Sequence, residues 1–257
     1  MKTKVLCTAA MAGLAMSASA LIIDYQMDDT AGTPTSGLTN SGTDTGNILG
    51  DVQGAATDNA GNLHYAGVTA DSSKKNDLDV TYSSGSYQLI YRVSAWDYTG
   101  NDLTDGISFS LWDSTSGAGL KATLDYNAAG TRIRVAGASG KQKVLNQFSG
   151  SDLIIRAIAN LDTGTFSADY NLGGAGWTSI TSGETLGVSS FNEFRIVADG
   201  TPAWAAGAFV DVDYATMEAI PEPTTTALLG LAGVGLFLAR NKRKTRAEKI
   251  IQEFERD

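Results

Sequence analysis

Residues 86–95 read SYQLIYRVSA, and their spacing decides the fold class: Tyr87, Leu89, Tyr91, Val93 and Ala95 stand at every second position. A period of two sends successive side chains to opposite sides of an extended chain, so these five share one face of a strand. The alternation recurs in Ile107, Phe109 and Leu111; in Leu120, Ala122, Leu124 and Tyr126; and in Leu153, Ile155 and Ala157. It returns in Phe166, Ala168, Tyr170 and Leu172, and in Ala208, Val210, Val212 and Tyr214. Each set is the inner face of a half-buried antiparallel strand. The parity places Trp96 and Trp112 opposite these sets, facing outward.

The separators are turn-like: residues 99–102 (TGND), 127–130 (NAAG), 160–164 (NLDTG) and 173–176 (GGAG). Their Asn, Asp and Gly bond their own backbone or tolerate positive φ, as hairpins require. No proline lies between Pro34 and Pro202, so no ladder donor is missing from the central strands. Eight or more strands in this length predict an all-β, antiparallel two-sheet sandwich, a jelly roll in preference to a seven-stranded immunoglobulin fold. Residues 30–77 alternate poorly and are rich in Gly, Thr, Asn and Asp, which predicts long loops with a few short strands.

The net charge of −9 is unevenly divided. Residues 21–220 hold 10 Lys and Arg against 23 Asp and Glu, a net −13, while the ends carry the positive excess. So acidic a body is not expected to bind nucleic acid. Only Glu184, Glu193 and Glu218 of those acids are glutamates, and Asp favours turns where Glu favours helices. The single cysteine, Cys7, falls in the leader, so the exported body is expected to lack thiol chemistry and disulfides.

Both ends read as addresses. Lys2 and Lys4 precede an apolar stretch from Val5 to Met16 and small residues at Ala18 and Ala20. This is the layout of a signal peptide, residues 1–20, cut by signal peptidase between Ala20 and Leu21. At the far end Pro221, Glu222 and Pro223 precede an apolar run and a basic stop of Arg240, Lys242, Arg243, Lys244 and Arg246. As a helix the run from Ala227 to Ala239 reaches only ~20 Å, against a hydrocarbon core of ~30 Å. A membrane segment over 224–239 is therefore expected as a short helix held for processing, with an ordinary single-span anchor as the alternative. The body then spans 21–218, the sorting and anchor segment 219–246, and a cytoplasmic tail 247–257.

This tripartite tail resembles the PEP-CTERM sorting signal of Gram-negative bacteria. The resemblance implies export, processing by an exosortase, and residence at the cell surface or in an extracellular polysaccharide matrix. The tail continues past the basic cluster as TRAEKIIQEFERD, longer than is usual in that family. The body, from LIIDYQMDDTAGT to FNEFRIVADGTPAWAAGAFVDVDYATM, is similar to the concanavalin-A-like and laminin-G-like jelly rolls, in pattern and order and not through any diagnostic motif.

Catalytic spacing is missing. Glycosidases need two carboxyl groups about 5 to 9 Å apart, and Glu184 and Glu193 stand in separate, loop-like contexts. Asp24 could meet Asp211 or Asp213 if the first and last strands are neighbours; otherwise these are solvated outer-face residues. The one histidine, His64, has no partner identifiable from spacing, and no zinc set accompanies it. No cofactor is expected, although residues 97–105 and 24–29 gather the oxygen ligands that calcium would take, or are simply turns. Carbohydrate would be gripped by aromatic faces, for which Trp96, Trp112, Trp177 and Trp204 are the candidates. The expected function is therefore that of a non-catalytic, exported protein that binds carbohydrate or serves as a structural component. The alternative is a secreted polysaccharide hydrolase or lyase with an Asp-based site.

Overall fold

The alternating segments become strands wherever the chain is described. A computed structural model describes residues 20–27, 41–45, 55–57, 62–69, 72–100, 106–199 and 203–221. Ala18, Glu222, Pro223, the apolar run, the basic stop and the tail lie outside the described residues. Among the described residues there is no helix, hence none long and apolar enough to cross a membrane.

In chain order the strands are β1 (Ala20–Tyr25), β2 (Ala55–Thr57), β3 (Leu63–Ala66), β4 (Ser72–Tyr82), β5 (Ser86–Asp97), β6 (Ile107–Asp113) and β7 (Ala118–Asn127). There follow β8 (Gly130–Ala136), β9 (Gly140–Val144), β10 (Ser149–Asn160), β11 (Thr165–Leu172), β12 (Thr178–Thr185), β13 (Phe191–Ala198) and β14 (Phe209–Ile220). They form two antiparallel sheets. The first has eight strands in the order β12-β11-β10-β5-β14-β3-β2, with β1 also on β14; the second has six, β4-β13-β6-β7-β8-β9. The chain passes between the sheets at β3–β4, β4–β5, β5–β6, β9–β10, β12–β13 and β13–β14, which makes a jelly-roll sandwich.

The core lies between the sheets. Leu89, Tyr91, Val93, Leu153, Ile155 and Ala157 face Phe109, Leu111, Ala122, Leu124, Phe194 and Ile196, all fully buried. The Tyr91 and Phe109 rings meet at 4.5 Å, and Tyr25 meets Phe194 at 5.6 Å. Tyr65 and Tyr91 bury hydroxyls that find no hydrogen-bond partner among the described residues. At the β10–β11 hairpin the turn closes through Asn160, whose side-chain oxygen accepts from the Thr163 amide at 2.8 Å, and through Gly164 at φ 63°.

Two bulges overturn part of the parity reading. Against β14, β5 carries an extra residue at Ser94, between the pairs Val93–Val212 and Ala95–Asp211; β14 carries its own at Asp213. An extra residue reverses the phase of everything beyond it. Trp96 therefore turns inward, 1% exposed, and Ala95 moves off the inner face. Likewise Tyr214 leaves the core and Ala215 and Met217 enter it.

Two further expectations are corrected. Residues 30–77, expected as long loops with a few short strands, contain the short β2 and β3 but also the start of the eleven-residue β4, whose SSKKNDLDVTY sequence is polar because it is the edge of the six-stranded sheet. Glu184 and Glu193 lie in strands β12 and β13 and not in loops, and Glu193 is only 2% exposed.

The register also joins the two ends of the body. Ala20 pairs with Ala219 and Leu21 with Glu218, so the expected signal-cleavage point and the start of the sorting segment sit on neighbouring antiparallel strands.

Candidate functional site

On the outer face of the six-stranded sheet the register lines up cross-strand rows. One runs Arg195, Ser110, Lys121, Ala136, Gly140, and the next Val197, Ser108, Thr123, Arg134, Gln142. Ala136 and Gly140 end the first row without long side chains. The gap beside them is a depression of about 300 Å3 lined by Lys121, Thr123, Arg134, Lys141 and Gln142.

The floor of this region is held by a buried carboxylate. Asp125 is fully buried and accepts from Arg132 Nε at 2.7 Å and Nη2 at 3.2 Å, and from Arg134 Nε. Arg132 also donates to Gln142 Oε1 at 3.1 Å. Burial pushes the Asp125 pKa above the ordinary carboxylate value, and the two guanidinium groups pull only part of that back.

Towards β4 the same face is closed by its own contacts. Lys75 Nζ donates to Asp77 at 2.8 Å and to Glu193 at 2.9 Å, and its pKa is raised by those hydrogen bonds. Arg195 Nε donates to Glu193 at 2.6 Å and lays its guanidinium over the Trp112 ring, 4.5 Å from the centroid. On the other side Trp112 lies against Gly119, where an added Cβ would come within 2.9 Å of the ring. Trp112 does face outward, but it is sandwiched.

The four candidate tryptophans thus separate. Trp96 is in the core, where its indole donates to Thr131 Oγ1 at 2.9 Å. Trp204 is also buried, donating to the Asp199 carbonyl at 2.7 Å with its ring edge-on to Tyr98. The structure therefore corrects both as candidate platforms, since a ligand cannot reach their faces. Trp177, following the 173–176 turn, is 45% exposed. It rests on Arg156, whose guanidinium carbon is 4.1 Å from the ring centroid, and Asp169 holds Arg156 in turn by bonds of 2.9 and 2.7 Å.

The conjectured pairing of Asp24 with Asp211 does not form. Strands β1 and β14 are neighbours, but Asp24 stands opposite Thr216, five residues or ~16 Å along the strand from Asp211. Asp211 instead meets His64 across β14 and β3, Oδ1 to Nδ1 at 2.5 Å, and the His64 ring stacks on Phe209. This is the partner that spacing left unidentified. The other outer-face acids of the eight-stranded sheet are also engaged: Asp152 and Asp213 by Arg92, Asp169 by Arg156, Glu218 by Gln88. Of the oxygen-rich segments considered for calcium, Asp97 caps the Thr99 amide at 2.7 Å, while Asp28, Asp29, Asp102 and Asp105 lie outside the described residues. Among the described residues no three His, Cys, Asp or Glu gather as a metal site.

Sequence reasoning passed over Lys121, Asp125, Arg132, Arg134, Lys141 and Gln142. A signal was present in the hairpin KATLDYNAAGTRIRV, where charged residues alternate with apolar ones on both arms. That spacing puts Lys121, Asp125, Arg132 and Arg134 on one face.

Comparison with known proteins bears on both the body and the tail. In chain path the body is similar to the Lotus tetragonolobus seed lectin (14% identity, TM-score 0.47, covering 66% of this chain and 92% of that one). It is similar also to a legume lectin-like domain from Entamoeba histolytica (9%, 0.44, 62% and 84%). A third is the GH43 BlXynB protein from Bacillus licheniformis (16%, 0.44, 62% and 33%). No curated protein matches the chain by sequence. The model of the PEP-CTERM protein-sorting motif matches residues 219–244, from the end of β14 through Pro221, Glu222 and Pro223 to Lys244. The described body is an all-β sandwich, and the chain carries a PEP-CTERM protein-sorting motif on its C-terminal side, the mark of an exported protein.

Proposed function

We propose that this is an exosortase-processed protein of the cell surface or extracellular matrix whose β domain binds carbohydrate without catalysis. The observation that carries the binding is Trp177, a tryptophan exposed on a turn and backed by a guanidinium that a carboxylate fixes in place. A rigid, half-solvated aromatic face with polar neighbours is suited to the apolar face of a pyranose ring. The acids of the same sheet are tied into ion pairs and hydrogen bonds, an arrangement that favours binding over proton transfer.

The register of β1 and β14 supports two-ended processing. With residues 1–20 removed by signal peptidase, the new terminus at Leu21 is already paired with Glu218 in the sheet. The sorting segment begins as β14 ends, so its removal near Pro221 leaves the ladder whole. The segment 224–239 is the part that would meet the membrane before the exosortase acts.

A glycan array probed with the full chain and with Trp177→Ala tests the binding. Loss of one stacked ring is expected to weaken retention about tenfold, near 1.4 kcal/mol. Equal retention by the two proteins, or none by either, would remove Trp177 from the account. Mass spectrometry of cell-surface material is expected to find Leu21 first and no residue beyond the Pro221–Pro223 region; an intact residue 257 there would defeat the processing.

A further inference from the structure

The ten lysines and arginines of residues 21–220 are not spread evenly: eight lie on strands of the six-stranded sheet. From Ala118 to Val144 there are five, Lys121, Arg132, Arg134, Lys141 and Lys143, against the single acid Asp125. By register Lys141 and Lys143 pair with the inward Val135 and Ile133, whereas Lys121, Arg132 and Arg134 share the outer face with Asp125, a locally positive strip on a body of net −13 in which the depression lies. Charges more than ~8 Å away are largely screened at physiological salt, so the strip governs what enters the depression.

We propose that this depression binds an anionic saccharide, its acid group received by Lys121 and Arg134 and its hydroxyls by Thr123 and Gln142. Three features of the geometry carry the assignment. The volume of about 300 Å3 is at the small end for ligand pockets, the size of one or two sugar rings. The arginines are pre-oriented, because fully buried Asp125 clamps Arg132 and Arg134 and Arg132 holds the Gln142 amide. Lys121 is only loosely engaged, 3.8 Å from Asp199, a distance at which an incoming anion competes well. The network around Glu193 and Trp112 on the same sheet is closed by comparison, with Glu193 buried between Lys75 and Arg195.

The proposal deepens the carbohydrate reading but uses residues remote in the fold from Trp177, on the other sheet, so the two can fail separately. The test is calorimetry of the full chain with a galacturonate hexamer and with the same hexamer fully methyl-esterified. The acid is expected to bind at least tenfold more tightly than the ester at about 0.05 M salt and to lose that advantage at about 0.5 M. The variant Lys121→Gln should abolish the preference with an unchanged melting temperature, and Trp177→Ala should retain it. A sulfated galactan oligomer run alongside separates a carboxylate from a sulfate ligand, and binding of either in this manner supports the proposal. Equal binding of acid and ester, or a preference that survives Lys121→Gln, overturns it. If neutral sugars alone bind, through Trp177, this proposal falls while the carbohydrate reading stands; if no sugar binds, both fall.

Discussion

The two sheets spend the same alternating pattern differently on their outer faces. On the eight-stranded sheet the polar positions are half-solvated pairs: Arg92 with Asp152 and Asp213, Arg156 with Asp169, Gln88 with Glu218. On the six-stranded sheet they are sunk, since Ser108, Ser110, Thr123, Asp125 and Glu193 are all buried among longer neighbours. A half-exposed pair can be lost at small cost, because water replaces the missing partner. A buried carboxylate has no such recourse, and its cations become structural.

The sharpest test of that contrast is a matched pair of substitutions. Arg132→Ala leaves Asp125, whose side chain is fully buried, with Arg134 as its remaining guanidinium partner and is expected to destabilise the protein by about 2 kcal/mol in urea unfolding. Arg92→Ala removes a guanidinium that is 38% exposed and should cost less than about 1 kcal/mol. Similar midpoints for the two would break the comparison.

A smaller effect is expected from acid. Asp77 is held below the ordinary carboxylate range, chiefly by its hydrogen bond from Lys75, and Glu184 by the Ser139 hydroxyl. Asp113 is also lowered: burial opposes its ionisation, but the Thr115 amide and the Ser116 and Ser190 groups outweigh it. Such groups take up protons at lower pH in the folded than in the unfolded chain. Their stabilisation is complete above about pH 4 and drains away as the pH falls below that. Asp125 works in the opposite sense, because its pKa is raised. From its ordinary value upward the unfolded carboxyl has given up a proton that the folded one still holds, so its contribution declines as pH rises through that window. Melting temperatures between about pH 2 and pH 6 should therefore fall at the acid end. Asp113→Asn should blunt that fall, and a profile unchanged by Asp113→Asn would contradict the assignment.

The smallest effect lies between the sheets. The buried Tyr91 hydroxyl has no partner among the described residues, so Tyr91→Phe is expected to be neutral or stabilising by up to about 1 kcal/mol. A loss exceeding that would show that the hydroxyl is satisfied.

Much of this fold is legible in the sequence because alternation reports a half-buried strand wherever one side meets a core. The segments containing Leu89, Phe109, Leu124 and Ile155 are examples. It fails where that condition lapses. Edge strand β4 meets a neighbour on one side only and so tolerates Lys, Asn and Asp; β9, with GKQKV, is the opposite edge. It fails again past a bulge, as with Trp96 and Tyr214, because the phase is reset by an inserted residue that looks like any other. Of the candidate site, Trp177 could be read from its Gly-rich surroundings. The His64 to Asp211 contact, 147 residues apart in sequence, could not.

The sequence by itself determined the strand-forming segments, the acidic balance of the body and the C-terminal sorting motif, because each depends on local order and composition. Only the tertiary structure decided which tryptophans are accessible, which acids are paired, and that the scattered cations collect on one sheet. Those outcomes depend on strand order and register, which join residues far apart in the chain and can be inverted by a single bulge.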